Sequence, residues 1–170
     1  MTTIVFIHGN DGFEEDAALV ASLEQHLGLP VTYPKMPDEG DWIPAIAAAI
    51  SEAQPPLALV GHSAGGYQLL EYLASASVPS VVSIHIIAAP FPGGDPDWTF
   101  DGFDLPAFPE RMPYPVFLYA SEDDETVPFA HRDLWAAELP GSVTRTTVGG
   151  HQLNNDLRLV ADDIRAAQAS

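Results

Sequence analysis

The chain has 170 residues, a length that suits one compact domain (1–170) around a single core. Hydrophobic residues make up 46% and charged residues 18%, an ordinary globular balance, and no apolar run reaches the roughly 20 residues that would span a bilayer. Acidic residues outnumber basic ones 24 to 6, a net charge of −18 that argues against nucleic acid and anionic membranes as partners, since phosphate binding needs clustered Lys and Arg.

The absence of cysteine rules out disulfides, thiolate metal sites and a cysteine nucleophile. The start, "MTTIVFIHGNDG", has no basic leader before its apolar stretch, so the expected setting is the cytoplasm.

In chain order, "TTIVFIH" (2–8) is a β-branched run that stops at His8-Gly9 and predicts a first strand. Leu19, Val20, Leu23 and Leu27 then share one face of a helix over 18–27. "VTYP" (31–34) predicts a short second strand, and Ile43, Ile46, Ile50 and Ala53 recur at helical spacing. "PLALVG" (56–61) predicts a buried strand, followed by a helix through Leu69, Leu70, Leu73 and Ala76. "VVSIHIIAA" (81–89) and "VFLYA" (116–120) predict two more strands, with a helix near 129–139 and a last strand at "VTRTTV" (143–148). Leu153, Leu157, Val160, Ile164 and Ala167 align on one face and predict a final helix. About six strands alternating with helices imply a mostly parallel sheet covered on both faces, a three-layer α/β/α architecture.

Residues 89–115 break the alternation. They hold seven of the sixteen prolines and six of the sixteen aromatics, too much proline for regular structure. A plain linker would be polar, whereas Phe91, Trp98, Phe100, Phe103, Phe108 and Tyr114 need a surface to cover. The expectation is a long loop over the carboxyl end of the sheet, where open α/β folds bind ligands.

Between the third strand and its helix lies "LVGHSAGG" (59–66), in which Gly61-His62-Ser63-Ala64-Gly65 fits G-x-S-x-G. A serine on a sharp strand-to-helix turn is strained, and the positions two before and two after it must be small to clear the neighbouring strands. Gly61 and Gly65 meet that need, and Gly66 allows the helix closer still.

A serine hydroxyl attacks only with a base in reach and an acid to orient that base. The final strand ends in "GGHQ", placing His151 at the same sheet edge as Ser63. The strand "VFLYA" runs into "SEDDETVP", which offers Glu122, Asp123, Asp124 and Glu125 at that edge. The pattern D-x-x-V-P selects Asp124, whereas counting from the strand end selects Asp123. The order serine, acid, histidine is that of the α/β-hydrolases. Oxyanion stabilisation takes two backbone N–H groups, expected from Ala64 at the helix start and from Asn10 in "HGNDG" (8–12).

Of the other histidines, His26 and His131 fall in helices and His85 inside a strand, which suits structural roles. His62 adjoins the serine, but a strained elbow points adjacent side chains apart, so its expected part is packing or support. A metal site built on His8, His62, His85 and His151 has no ligand spacing behind it, and neither a metal nor a cofactor is expected.

Together, "IVFIHGNDG", "YPKMPDEGDWIPAI", "LVGHSAGG", "ASEDDETVPF" and "GGHQLNN" resemble the short α/β-hydrolases of the retinoblastoma-binding-protein-nine and YdeN-like serine hydrolase group, over nearly the whole chain. The resemblance implies a minimal α/β-hydrolase fold without the first two strands or a cap domain, and a triad of Ser63, Asp124 and His151. Met36-Pro37 followed by Trp42 matches a recurring family feature. The chain departs from the pattern in "EEDAALVASL", which lacks the tryptophan that members often carry in the first helix. The implied function is hydrolysis of small carboxylic esters or related acyl compounds through an acyl-enzyme. The alternatives are a protein-binding module with a vestigial site, or C–C hydrolase or perhydrolase chemistry on the same triad.

Overall fold

The computed structural model of the chain describes residues 1–95 and 104–170. Its strands are β1 (Thr3–Ile7), β2 (Val31–Thr32), β3 (Leu57–His62), β4 (Val81–Ile87), β5 (Val116–Ser121) and β6 (Val143–Thr147). Its helices are α1 (Ala17–Leu27), α2 (Ile43–Glu52), α3 (Ala64–Ser75), α4 (His131–Glu138) and α5 (Arg158–Gln168). The strands form one sheet in the order β2-β1-β3-β4-β5-β6, with every neighbouring pair parallel. Parallel pairing requires crossovers, and the helices that supply them cover both faces.

Alternation along the strands divides the core. Val5, Ile7, Leu57, Leu59, Ile84, Ile86, Val116 and Leu118 pack with Ile46 and Ile50 of α2, Leu69, Leu70 and Leu73 of α3, and Trp135 of α4. Ile4, Phe6, Ala58, Val60, Phe117 and Tyr119 pack with Leu19, Val20 and Leu23 of α1 and Val160, Ala161 and Ile164 of α5. The period-two pleat sends these two sets to opposite faces. Because β1 turns outward to β2 and the chain then returns to β3 on its other side, the strand order reverses between β1 and β3. In open α/β sheets the crevice at the carboxyl ends of such strands is where ligands bind.

Two expected elements differ in extent. β2 is only Val31–Thr32. The final helix begins at Arg158, because Leu153, Asn154 and Asn155 all have positive φ and form a separate 3-10 turn. Leu153 and Leu157 are nonetheless buried in the same core as Val160 and Ile164, which is why the apolar spacing ran through the break.

The segment between β4 and β5 carries the chain from one end of the sheet to the other. Phe91 and Phe108 pack edge-on against Trp135, at centroid distances of 4.9 and 6.1 Å. Tyr114, near the start of β5, donates to the Val78 carbonyl and accepts from the Val78 N–H, both at 2.9 Å. These aromatics extend the core that other crossovers build from a helix. Trp98, Phe100 and Phe103 lie outside the described residues.

On the α5 face a polar chain crosses the core. Arg145 pairs with Asp163 at 2.7 Å, and Asp163 accepts from the Tyr119 hydroxyl at 2.8 Å. Tyr119 in turn accepts from His85 Nδ1, and His85 Nε2 accepts from Ser83, both at 2.8 Å. This ring is satisfied as the neutral tautomer. Burial pulls the His85 pKa from 6.5 down to about 3, against a smaller upward pull from Asp163. Between these values the unfolded chain binds a proton that the folded chain refuses, so stability is lost as pH falls through the window. His85→Gln should therefore flatten the decline of Tm between about pH 6.5 and 5, above the range where most carboxylates titrate; thermal circular dichroism at stepped pH reads this.

Where α3 crosses β1, a Cβ on Gly65 would collide with the carbonyl oxygens of Ile7 and His8. Alanine in a helix ordinarily stabilises by about 1 kcal/mol over glycine. Gly65→Ala should do the reverse, with overpacking costing about 1–3 kcal/mol and lowering Tm by ~2–4 °C per kcal/mol.

Candidate active site

β3 delivers Ser63 to the carboxyl edge of the sheet, one residue past its end. Ser63 adopts φ 53° and ψ −126°, a positive φ that L side chains rarely take, and α3 begins at the next residue. The conformation is held by bonds on both sides of the residue. The Ser63 N–H donates to the Ile87 carbonyl at 2.8 Å, and the Ser63 carbonyl accepts from Gly66 N–H at 2.9 Å and Tyr67 N–H at 3.2 Å. A Cβ on Gly61 would lie 2.7 Å from Gly66 Cα, and one on Gly66 would meet Ala89 and Ile86 at 3.1 Å. The small residues at 61, 65 and 66 thus answer to three separate close approaches.

The loop after β1 passes directly beside the serine: a Cβ on Gly9 would lie 3.3 Å from Ser63 Cβ. His8 fixes the start of that loop. Its Nε2 accepts from Met36 N–H at 2.9 Å and its Nδ1 donates to the Gly9 carbonyl at 2.7 Å, which defines a neutral ring. Trp42 packs on His8 with ring centroids 5.4 Å apart and donates Nε1–H to the Pro37 carbonyl at 3.0 Å. The Met-Pro and Trp pattern thereby supports the first loop from the side. Among the described residues, the backbone N–H groups of Asn10 and Ala64 make no hydrogen bond.

The loops after β5 and β6 bring an acid and an imidazole together. His151 Nδ1 donates to Asp124 Oδ2 at 2.9 Å. The Asp124 side chain is 1% exposed, and its Oδ1 accepts from Thr126 N–H at 2.7 Å and Val127 N–H at 2.9 Å. Burial raises the Asp124 pKa, but the His151 hydrogen bond, these backbone donors and the His151 charge outweigh it and hold the carboxyl below its usual range. Asp123 does different work. Its carboxylate accepts from Gly149 N–H at 3.3 Å and Gly150 N–H at 3.0 Å, bracing the turn that carries His151. Both glycines have positive φ, at 97° and 70°.

His62 and Asp16 form a second buried pair beneath this edge. Asp16 Oδ2 lies 2.9 Å from His62 Nδ1, with the two side chains 2% and 3% exposed. The same carboxylate accepts from Gly9 N–H at 2.8 Å and from Gln152 Nε2 at 3.1 Å. The other ring nitrogen of His62 lies 2.9 Å from the carbonyl oxygen of His151, and the two imidazole centroids are 4.8 Å apart. Sequence reading expected support from His62 and passed over Asp16 and Gln152. Asp16 directly precedes α1 and reads as an ordinary N-cap, yet its side chain makes no cap hydrogen bond and turns inward.

The four histidines weighed for a metal are engaged separately: His8 by the first loop, His62 by Asp16, His85 in the core and His151 by Asp124. Among the described residues, no group of three or more His, Asp or Glu side chains is arranged to hold a metal ion, and no helix is long and apolar enough to cross a membrane. A carboxylate-oriented imidazole whose Nε2 is uncommitted, at one sheet edge with a serine held at positive φ, is chemically equipped for nucleophilic acyl transfer.

Comparisons with known proteins bear on the fold and the family. The YdeN gene product of B. subtilis superposes with a TM-score of 0.81 over 100% of both chains at 18% identity. A YdeN-like hydrolase of Pectobacterium atrosepticum matches with a TM-score of 0.66 over 99% of this chain and 90% of the other, at 17% identity. Est1E of Butyrivibrio proteoclasticus, solved with ferulic acid bound, matches with a TM-score of 0.71 over 99% and 88%, at 16% identity. Comparison by sequence with curated proteins finds no match. The family model for serine hydrolases matches residues 17–157, a span that includes Ser63, Asp124 and His151, and the chain belongs to the serine hydrolase family.

Proposed function

We propose that residues 1–170 act as one catalytic domain that hydrolyses small carboxylic esters through an acyl-enzyme on Ser63. His151 is the base, Asp124 its orienting acid, and the N–H groups of Ala64 and Asn10 the oxyanion donors. The observation that carries this reading is the 2.9 Å bond from His151 to the buried Asp124 at the sheet edge where Ser63 emerges. That bond commits Nδ1 and leaves Nε2 to take a proton.

In the first step Ser63 Oγ attacks the ester carbonyl while its proton passes to His151 Nε2. Asp124 stabilises the resulting imidazolium, and the negative charge on the carbonyl oxygen falls to the two backbone donors. Collapse of the tetrahedral intermediate expels the alcohol, which takes the proton from His151. Water then attacks the acyl-enzyme with His151 again as base, releasing the acid and restoring Ser63.

A small ester in solution suits the setting of the site, because no helical domain is inserted among the described elements to enclose a large substrate. Solved neighbours point the same way: PytH is described as a pyrethroid hydrolase, and Est1E binds ferulic acid. The net charge of −18 disfavours nucleic acid as a partner. The cytoplasm is the proposed compartment, tested by cell fractionation.

Ser63→Ala should abolish turnover of nitrophenyl acetate and labelling by a fluorophosphonate, a loss of about 10⁶-fold in kcat by analogy with other triads. Full activity in that variant would sink the hydrolase reading, and an unlabelled wild type would favour a binding role. A second comparison separates the neighbouring carboxylates. Asp124→Asn should lower kcat by about 10⁴-fold, whereas Asp123→Asn, which loosens a turn, should cost far less; equal losses would reassign the acid.

A further inference from the structure

The histidines of this chain differ in what their ring nitrogens face. His8 and His85 each have one nitrogen that donates and one that accepts, the pattern of a neutral imidazole. His62 is different. Its Nδ1 faces the carboxyl group of Asp16 and its Nε2 faces the carbonyl of His151, each at 2.9 Å. The carbonyl has no proton to give, and Asp16, which accepts from Gly9 N–H and Gln152 Nε2 and titrates below the usual carboxylate range, is ionised at neutral pH. With Asp16 ionised, both contacts are hydrogen bonds only if both nitrogens carry protons. We propose that His62 is a buried imidazolium, with Asp16 as its counter-ion, that positions the proposed base by donating Nε2–H to the backbone carbonyl of His151.

The surroundings of Asp16 fit a counter-ion. A buried carboxylate is costly unless paired and hydrogen-bonded, and this one receives His62, Gly9 and Gln152. Burial pushes its pKa up, yet the His62 hydrogen bond and charge, with the Gly9 and Gln152 donors, hold it below the usual carboxylate range. Asp16 also forgoes its own helix. At an N-cap position its side chain could bond the first turn of α1, and it makes no such bond.

The pair reaches three of the four loops that deliver proposed catalytic groups, all but the one after β5 that carries Asp124. Gly9 precedes Asn10, His62 precedes Ser63, and the carbonyl of His151 together with the side chain of Gln152 belongs to the loop of the base. His62 touches neither substrate nor reacting atoms in this scheme, so its part is positioning. Among the described residues, the ionisable side chains against His62 are Asp16, by hydrogen bond, and His151, by ring contact, with Asp124 behind His151. The cation and its counter-ion offset each other toward His151, so removing one alone changes the field at the base.

This inference rests on the reading of Ser63 and His151 as catalytic, and its first test is independent of turnover. Proton–nitrogen NMR of the wild-type protein at about pH 8, above the ordinary histidine value near 6.5, should show both ring nitrogens of His62 protonated. A single ring proton overturns the proposal whether or not the protein hydrolyses anything. Failure of the wild type to turn over nitrophenyl acetate or to react with a fluorophosphonate would instead sink the Ser63 reading.

Kinetics supply the second test. Asp16→Asn and His62→Gln should each lower kcat for nitrophenyl acetate about 10–100-fold, by analogy with the loss when the hydrogen-bonded partner of a metal-ligating residue is removed, with KM held within about twofold. His62→Gln leaves the Asp16 carboxylate uncompensated beside His151, which favours the protonated base, so the acid limb of kcat/KM should move to higher pH. The double variant Asp16→Asn/His62→Gln removes both charges and should return the limb toward its wild-type position. A limb that stays in place in His62→Gln, or an unchanged kcat in Asp16→Asn, overturns the positioning role.

Discussion

The carboxylate of Asp16 joins three loops that are far apart in the chain. It accepts from the main chain of Gly9 after β1, from the ring of His62 at the end of β3, and from the side chain of Gln152 after β6. In a parallel sheet these loops share an edge but not a ladder, since strand pairing ends before the site begins. Side-chain hydrogen bonds must therefore fix their relative positions. A desolvated anion is effective here because breaking any one of its bonds leaves buried charge less well compensated.

Backbone strain makes the same demand from another direction. Ser63 stands at positive φ, which costs of order 1–3 kcal/mol, and the loops around it must overdetermine that geometry. They do so by proximity: Gly65 lies against the carbonyls of β1, Gly66 against Ala89 and Ile86, and Gly9 against Ser63 itself. Each glycine marks a place where a main chain occupies the volume a side chain would take. The elbow is rigid because its neighbours are close, and it is close because its residues are small.

The carboxylates at the β5 edge divide their labour in a way that follows from geometry. Asp124 is buried and turned toward His151, with its second oxygen held by the Thr126 and Val127 N–H groups. Asp123 faces the Gly149-Gly150 turn and holds that turn by its amides. One residue thus orients the ring and its neighbour orients the backbone that carries the ring. Composition is consistent with such devices: acidic side chains abound, and among the described residues the buried side chains of Asp16, Asp124 and Asp163 each have named donors.

Apolar periodicity in the sequence was sufficient to read the alternation of strands and helices, because the parallel sheet buries both faces and leaves near-continuous apolar strands. The small residues around Ser63 were legible for a related reason, since a sharp strand-to-helix turn tolerates little else at those positions. His151 and the acidic turn after β5 were visible as strand-end residues, and the D-x-x-V-P pattern favoured Asp124 while counting from the strand end favoured Asp123, because adjacent side chains diverge by an amount only the folded loop defines. The late start of α5 was hidden, as Leu153 and Leu157 keep helical spacing across residues at positive φ. Asp16 was hidden more deeply. Its partner His62 is 46 residues away and its partner Gln152 is 136 residues away, and no local pattern encodes a contact between loops. Local sequence determines which element a residue joins, whereas the partners of a buried charge are decided by which loops the sheet order brings to one edge.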